Sequence, residues 1–440
     1  MIEAGDGEGL VEALDALPPW EQARAVSRLE ESGRAALLGL LPAERAAELI
    51  EVVSVTQAVD AVVGLGAHEA AAIVDELPSD IQADLIAELD DADAERILAE
   101  MPEGRAESAR ELAGYDPDTA GGLMIREYLA YYHSLNVSDV IDDLRRHGAR
   151  YADYDVQYGY VVNTKGKLVG VLRMRDLLFE QPDRSIESIM IPEPDSVSAD
   201  MKLGRLKRVL DEKHYVAMPV VEPGTGRLVG VVRSGAVSEA VNRESANIFL
   251  KFSGIVGGEE FRSMRLFSRS GRRLAWLSIN IVLNLLAASV ISMYTETLEA
   301  AIALAVFLPM ISDMSGCSGS QAVAISMREL TMGLVRPGEV LRVLGKEASV
   351  GVINGIVLGL LLAGVAILWK GNPYIGLVVG SALGLNTIVA VCLGGALPLI
   401  LRLLRLDPAM VSGPILTTVT DMCGFFFVLS MATAMLDKLS

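Results

Sequence analysis

Residues 407–427 read DPAMVSGPILTTVTDMCGFFF, and within the run 409–436 Asp421 is the only acid before the far end. A helix needs about 20 mainly apolar residues to cross a bilayer core, so this run predicts a membrane span with a carboxylate near its middle. A charge there costs about 2.5–3.5 kcal/mol on insertion scales and normally faces a bundle interior, a partner or an aqueous path. Thr417, Thr418 and Thr420 lie within one turn, and Gly413-Pro414 is expected to break the helix just before them. Carboxylate, hydroxyl and freed carbonyl oxygens together suit a hard cation. The competing reading is a neutral or paired Asp that staples helices.

A second stretch, PMISDMSGCSGSQ at 309–321, places Asp313 among Gly316, Gly319 and Ser320. So many small residues predict an interrupted helix, and irregular backbone at membrane depth survives only where protein buries it or it lines a cavity. Broken helices of this kind mark sites in membrane carriers; close helix packing through small residues is the alternative. Glu347, at the start of another apolar run, reads either as a pore-mouth acid or as interfacial. Outside the membrane, Asp80 and Asp84 are spaced i,i+4 and share a helix face, which a solvated acidic face would also explain. No nucleophile–base pair or phosphate-cradling glycine loop is present, and His68, His133, His147 and His214 are scattered. The chain is therefore not expected to be an enzyme or to hold a histidine-based metal site. Cys317, Cys392 and Cys423 all fall in apolar runs and form no disulfide or zinc-type framework.

These residues need elements to hold them, and 440 residues allow about three domains. Residues 1–120 carry 28 Asp and Glu against 7 Lys and Arg, a net of −21 within a chain total of −19. The acidity thus belongs to the N-terminal quarter, which argues against nucleic acid and for a cationic partner or metal ion. No apolar leader is visible at the N-terminus. Residues 1–119 predict short amphipathic helices in a helical repeat or superhelix, with Leu-Pro or Met-Pro steps at Leu17, Leu41, Leu77 and Met101 starting new helices. Residues 120–242 contain a duplication: YVV then GKLVGV at 160–171 recurs as PVV then GRLVGV at 219–231. Each copy reads strand, glycine turn, strand, helix. Residues 243–272 predict a connecting helix and a basic approach to the membrane carrying Arg262, Arg265, Arg269, Arg272 and Arg273. Residues 273–440 hold five predicted spans, near 274–293, 300–332, 348–369, 375–404 and 409–436. Basic residues (Arg328, Arg336, Arg342, Lys346, Arg402, Arg405) flank the loops on one side and Glu296, Glu299, Lys370 and Lys438 the other. The positive-inside rule then puts the N-terminus in the cytoplasm and the C-terminus outside.

The tandem α/β modules resemble a pair of CBS domains, regulatory units that dimerise and often hold an adenosine ligand or an ion. In the first copy Arg175-Asp176 stands where that family places a ribose-contacting Asp, with Arg173 in place of the usual Ser or Thr; the second copy reads RSGA without an Asp. The resemblance limits an adenosine nucleotide such as ATP to the first copy. Taken together, the acidic helical domain, a CBS pair entered through DPDTAGGLM, a connecting helix and five spans ending in DPA-SGP-TTVTD-GFF resemble the MgtE family of magnesium channels over nearly the whole chain. That resemblance implies a multidomain fold: an all-α superhelical N-domain, an α/β CBS pair and an all-α membrane domain. It further implies a homodimer in a bacterial plasma membrane, its pore lined by the second and fifth spans, with Mg2+ as the ion. Asp421 falls on the family's pore aspartate, which contacts the ion through its water shell; Thr417, Gly316 and Ser320 fall on positions lining the same site. Asp80 and Asp84 fall on a pair that binds regulatory Mg2+ between cytosolic domains.

Two departures bear on function. The family's asparagine-rich loop in the second span is SGCSGSQ here, so Cys317 and Ser320 replace two amides and Asp313 precedes them. After the last CBS strand the chain reads Arg233-Ser234-Gly235, with only Glu239 and Glu244 nearby on the connecting helix. A gate that closes when Mg2+ bridges two acidic faces then has one thin face, and weaker or absent Mg2+-dependent closure is expected. The runner-up to a channel is a carrier or exporter coupled to protons or sodium through the same carboxylates.

Overall fold

The computed structural model describes all residues except 1, 150, 152, 153, 155, 156, 256–263, 265 and 440, so Arg262 and Arg265 lie outside the described residues. The chain forms two compact units, one holding residues 1–244 and the other the membrane helices with the last residues of the connecting helix.

The first unit begins with nine helices among the described residues: α1 (Gly7–Asp15), α2 (Pro19–Arg28), α3 (Glu31–Leu40), α4 (Ala43–Glu51), α5 (Val55–Val63), α6 (Ala67–Glu76), α7 (Ser79–Glu88), α8 (Asp91–Leu98) and α9 (Glu103–Ala113). From α3 onward each helix packs on the one two places further along, α3 on α5 and so on to α7 on α9. That stacking is the expected superhelix, and it follows from short helices whose single apolar stripe must be covered by neighbours. The prolines act one position earlier than predicted: Pro18, Pro42, Pro78 and Pro102 are the residue before the helix, in extended backbone. Ser54 and Asp90 do the same work at α5 and α8 by accepting from Gln57 and Asp93 backbone N–H groups.

The duplication becomes two small sheets. The first holds β1 (Leu129–Tyr132), β2 (Tyr158–Val162), β3 (Leu168–Arg173) and β4 (Ile191–Pro192), with α10 (Val137–Arg146) and α11 (Met174–Leu177). The second holds β5 (Val197–Ser198), β6 (Ala217–Val221) and β7 (Leu228–Arg233), with α12 (Leu203–Lys213). The repeat extends to its irregularities, because each central hairpin carries a bulge at the same place, Val161/Val162 and Val220/Val221. The hairpin turns exchange backbone bonds reciprocally, Leu168 N to Gly226 O at 3.2 Å and Leu228 N to Gly166 O at 3.0 Å. The glycine of each LVG seats a methionine: a Cβ at Gly170 would lie 2.3 Å from Met190 Sδ, and one at Gly230 2.6 Å from Met124 Sδ.

Helix α13 (Ser234–Phe252) leads out of the first unit. The second unit contains α14 (Leu266–Ser292), α15 (Thr295–Ala300), α16 (Leu308–Thr331), α17 (Val340–Lys370), α18 (Pro373–Leu403), α19 (Pro408–Ala434) and α20 (Leu436–Leu439). Five stretches, carried by α14 and α16–α19, are long and apolar enough to cross a membrane. Burial ranks them: 61% of the most apolar window of α18 is buried against 6% for α14, so α18 is the central helix and α14 the peripheral one. Helices α17 and α18 meet backbone to backbone, since a Cβ at Gly359 would lie 2.6 Å from Gly380 O and one at Gly355 2.6 Å from Gly384 O. Small residues at membrane helix interfaces permit this approach.

Two expectations about the spans are corrected. Helix α16 runs without a break through Gly316 and Gly319; the interruption lies earlier, where a short 3-10 segment (Ile302–Val306) ends at the buried Phe307. Helix α19 likewise runs through Gly413-Pro414. In a bilayer every backbone group needs an internal partner, which outweighs the roughly 1 kcal/mol helix cost of a glycine. Helix α17 also starts eight residues ahead of expectation, which places Arg342, Lys346 and Glu347 in its first turns.

Candidate ion site

Helices α16 and α19 pack on each other and both pack on α18. Each outer helix carries a small polar stripe at four-residue spacing: Ser312, Gly316 and Ser320 on α16, and Gly413, Thr417 and Asp421 on α19. Four-residue spacing keeps side chains on one helix face. The two stripes are joined where Ser312 Oγ donates to Asp421 Oδ1. Beside that contact the surface is open, because a Cβ placed at Gly316 or Gly413 would meet nothing within 4 Å. Thr417 and Asp313 are exposed, and Asp421 and Ser320 are half-buried.

The two glycines of the second span, alike in sequence, differ in kind. A Cβ at Gly319 would lie 2.8 Å from Leu416 Cδ1 and 2.9 Å from Ala390 O, and one at Gly394 would lie 2.2 Å from Gly319 O. Gly319 is therefore the packing contact and Gly316 faces open space, so the close-packing reading of the small-residue stretch applies to Gly319 and not to Gly316.

The threonines also divide. Thr418 and Thr420 are buried and their hydroxyls donate to Pro414 O at 2.7 Å and Thr417 O at 3.0 Å, so they do not extend the oxygen set around Asp421 as expected. Thr417 Oγ1 donates to Gly413 O and Pro414 O, both at 3.1 Å, while remaining on the open side. Among the described residues no three His, Cys, Asp or Glu groups gather into a metal cluster. Asp421 is thus a single carboxylate with hydroxyls beside it. Glu347 is elsewhere, its Cγ 2.5 Å from where a Cβ of Gly395 would be, bedded on α18.

Asn386 was not singled out in the sequence. It lies fully buried at the middle of α18 and donates from Nδ2 to Ser315 Oγ at 2.6 Å on α16 and to Thr420 O at 2.9 Å on α19. The signal was available, since a lone amide in an apolar run is as anomalous as a lone carboxylate.

In the first unit the acidic pair on α7 is already met by side-chain cations. Arg233, at the end of β7, stands 3.7 Å from Asp80, and Arg243, on α13, stands 3.4 Å from Asp84. The neighbouring Ser79 Oγ donates to Glu127 at 2.7 Å and accepts from Arg126 N at 2.9 Å. Burial pushes both Asp carboxyls above their ordinary value, and the pull of the arginines in the other direction is smaller.

Arg175 and Asp176 sit on α11, where Asp176 pairs with Arg173 Nε at 2.9 Å and Arg175 Nε at 3.4 Å. The residue that departs from the usual Ser or Thr is thus the one holding Asp176. A cleft in the same unit is lined by Tyr128, Tyr158, Tyr160, Gln157 and Arg233, and neither Arg175 nor Asp176 is among its lining residues.

Comparison with known proteins follows the same divisions. Residues 17–118 match the MgtE intracellular N domain, 120–183 and 186–243 match CBS domains, and 308–431 match MgtE, described as a divalent cation transporter. The magnesium transporter MgtE of Thermus thermophilus is 32% identical over 448 residues, covering 99% of this chain and 97% of its own. That of Bacillus subtilis is 29% identical over 426 residues, covering 97% and 94%. Among solved structures, the cytosolic domain of the Mg2+ channel MgtE in complex with ATP is 30% identical with a TM-score of 0.49, covering 54% of this chain and 96% of that one.

Proposed function

Because this chain belongs to the MgtE family of divalent cation transporters, we propose that it passes Mg2+ down its electrochemical gradient through a pore formed by two copies in a bacterial plasma membrane. The observation that carries this reading is the Ser312–Asp421 contact between two polar stripes whose outer side is open. Polar membrane faces turn toward a bundle interior or water, not lipid. A second copy set against α16 and α19 encloses them in a path lined by the second and fifth spans. Mg2+ gives up its water reluctantly and is usually held by one or two carboxylates. A lone Asp421 per chain suits a hydrated ion, with Thr417, Ser320 and the room beside Gly316 receiving its water shell. Asp313 supplies a further carboxylate on α16. The exposed apolar residues of α14, among them Leu277, Ile281 and Leu285, face lipid.

In this reading the N-terminus is cytoplasmic and the C-terminus outside, supported by the basic loops after α16 and α18, and the acidic domain and CBS pair act as cytosolic regulators. The CBS pair is the part that would take an adenosine nucleotide, with Arg175 and Asp176 of the first copy as its contacts; a ribose at Asp176 would have to displace Arg173. No step of covalent chemistry is involved.

The test is ion flux into liposomes holding the purified protein, with Mg2+ compared against Ca2+, Mn2+, Co2+ and Na+, with and without a proton gradient. Flux that needs no counter-ion gradient and collapses in Asp421→Asn supports the channel. Normal conduction in both Asp421→Asn and Asp313→Asn removes the pore assignment. Saturable flux driven by a proton or sodium gradient replaces the channel with a coupled carrier.

A further inference from the structure

We infer that Asn386 is the positioning residue of the ion site, an amide that touches no ion and fixes the register of the two helices that do. The inference rests on reading Asp421 as the ion's ligand. Asn386 stands on the central span, with no exposure to solvent. Its two Nδ2 protons are divided between the flanking helices, one to Ser315 Oγ on α16 and one to Thr420 O on α19. Thr420 is the residue before Asp421. Ser315 is one turn from Ser312, the hydroxyl that meets Asp421, and Ser315 Oγ donates back into the same turn, to Ile311 O at 2.7 Å and, at the longer distance of 3.1 Å, to Ser312 O. One planar amide therefore sets both sides of the Ser312–Asp421 contact.

The seat for that amide is made by a glycine. A Cβ at Gly424, three residues beyond Asp421, would lie 2.7 Å from Asn386 Nδ2. A side chain there would have to displace the amide from its present position. The Oδ1 of Asn386 has no hydrogen-bond partner among the described residues, so two good bonds are kept although the acceptor goes unsatisfied. A simple helix staple has no need of this, since an apolar side chain of similar volume packs without leaving a buried acceptor bare. The arrangement is accounted for by the donors and what they hold in place.

A positioning role predicts a loss of discrimination, because displacements of about 1 Å at a site assembled from several groups change rates by up to about 100-fold. Asn386→Ala, Gly424→Ala and Ser315→Ala are compared with wild type in liposomes for Mg2+ flux, the Mg2+/Ca2+ flux ratio and thermal stability. Ser326→Ala is the control. It removes an equally buried bond from α16 to α18, Ser326 Oγ to Gly395 O at 2.8 Å, about three turns along α16 from Ser315. The expected result is a fall of about ten-fold or more in the Mg2+/Ca2+ ratio for Asn386→Ala and Gly424→Ala, a smaller fall for Ser315→Ala, and an unchanged ratio with lowered stability for Ser326→Ala. If Asn386→Ala does not fold, Ser315→Ala, which removes only one of the two bonds, decides. An unchanged ratio in the variants that fold, with flux still abolished by Asp421→Asn, overturns the positioning role alone. Flux that survives Asp421→Asn overturns the ion-site reading and this inference with it.

Discussion

Arg233 stands 3.7 Å from Asp80, and the carboxylate is the more enclosed partner, 18% exposed against 42% for the guanidinium. Arg243 and Asp84 repeat the arrangement one turn along α7, at 26% and 39%. The cations that face this acidic pair are part of the chain. Added Mg2+ must compete with tethered guanidinium groups, so limited proteolysis of the full-length protein is expected to show little Mg2+-dependent protection. Replacing both Arg233 and Arg243 by Ala frees the carboxylates, and protection should then appear at millimolar Mg2+. Full protection of wild type at that concentration would show that the arginines do not hold the pair.

The same burial sets a pH dependence of unusual sign. Asp80 and Asp84 have carboxyls raised above the ordinary 3.8. The folded state thus holds its protons more tightly than the unfolded chain, and their contribution to stability falls as pH rises from about 4 through the raised values. Thermal unfolding should give an unchanged or higher midpoint at pH 7 for Asp80→Asn. Arg233→Met, which leaves a carboxylate enclosed without its partner, should cost about 1–3 kcal/mol. Equal destabilisation by the two substitutions would mean that attraction, not desolvation, dominates.

Glycine substitutions should separate packing from permeation. A Cβ at Gly380 would lie 2.5 Å from Gly359 O and 2.7 Å from Ala363 Cβ, so Gly380→Ala is expected to lower the yield of folded protein sharply. Gly316→Ala meets nothing within 4 Å and should fold normally, with any change seen in ion flux only. Size-exclusion profiles read beside flux distinguish the two.

At the corner before α19, Asp407 has two duties. Its Oδ1 accepts from Ala409 N at 2.9 Å as a helix cap, and its Oδ2 pairs with Lys251 at 3.0 Å. Asp407→Asn keeps the cap and loses a partly exposed ion pair worth about 0.2–1 kcal/mol. Asp407→Ala loses the cap as well, about 1 kcal/mol more. Melting temperatures should fall in that order, with the Asn variant less responsive to added salt than wild type.

Ser312→Ala removes the hydroxyl that meets Asp421 and leaves the carboxylate itself. Mg2+ flux should fall by less than in Asp421→Asn, while competition by Ca2+ should strengthen. A Ser312→Ala effect as large as that of Asp421→Asn would make the hydroxyl a ligand in its own right.

Much of this molecule was legible because the groups proposed to act are out of place where they stand. Asp421 and Asp313 contradict their apolar runs, and the LVG repeats announce two copies of one unit before either sheet is seen. Asn386 obeys the same logic within a 31-residue helix, but an uncharged amide draws less notice than an acid. The continuity of α16 and α19 was not legible. Glycine and proline lower helix propensity locally, whereas the membrane's demand for satisfied backbone acts over the whole span. Nor could the sequence tell Gly316 from Gly319, because the difference is made by Leu416 and Ala390, about 70 residues or more further along the chain. Arg233 was visible as a departure from an acidic position; that it reaches Asp80 is a matter of tertiary distance.

The glycine contacts between α17 and α18 reach past side chains to the carbonyls themselves, at Gly355, Gly359, Gly380 and Gly384. Two helices joined that way have no layer of side chains to slide on, so they behave mechanically as one beam. Helix α16 is held to α18 in the same way, since a Cβ at Gly394 would lie 2.2 Å from Gly319 O, so any change in the width of the proposed path falls to α19 turning against the other three. The amide of Asn386, set in the beam and reaching α19 at Thr420 O, is then the pivot about which such a turn would be made.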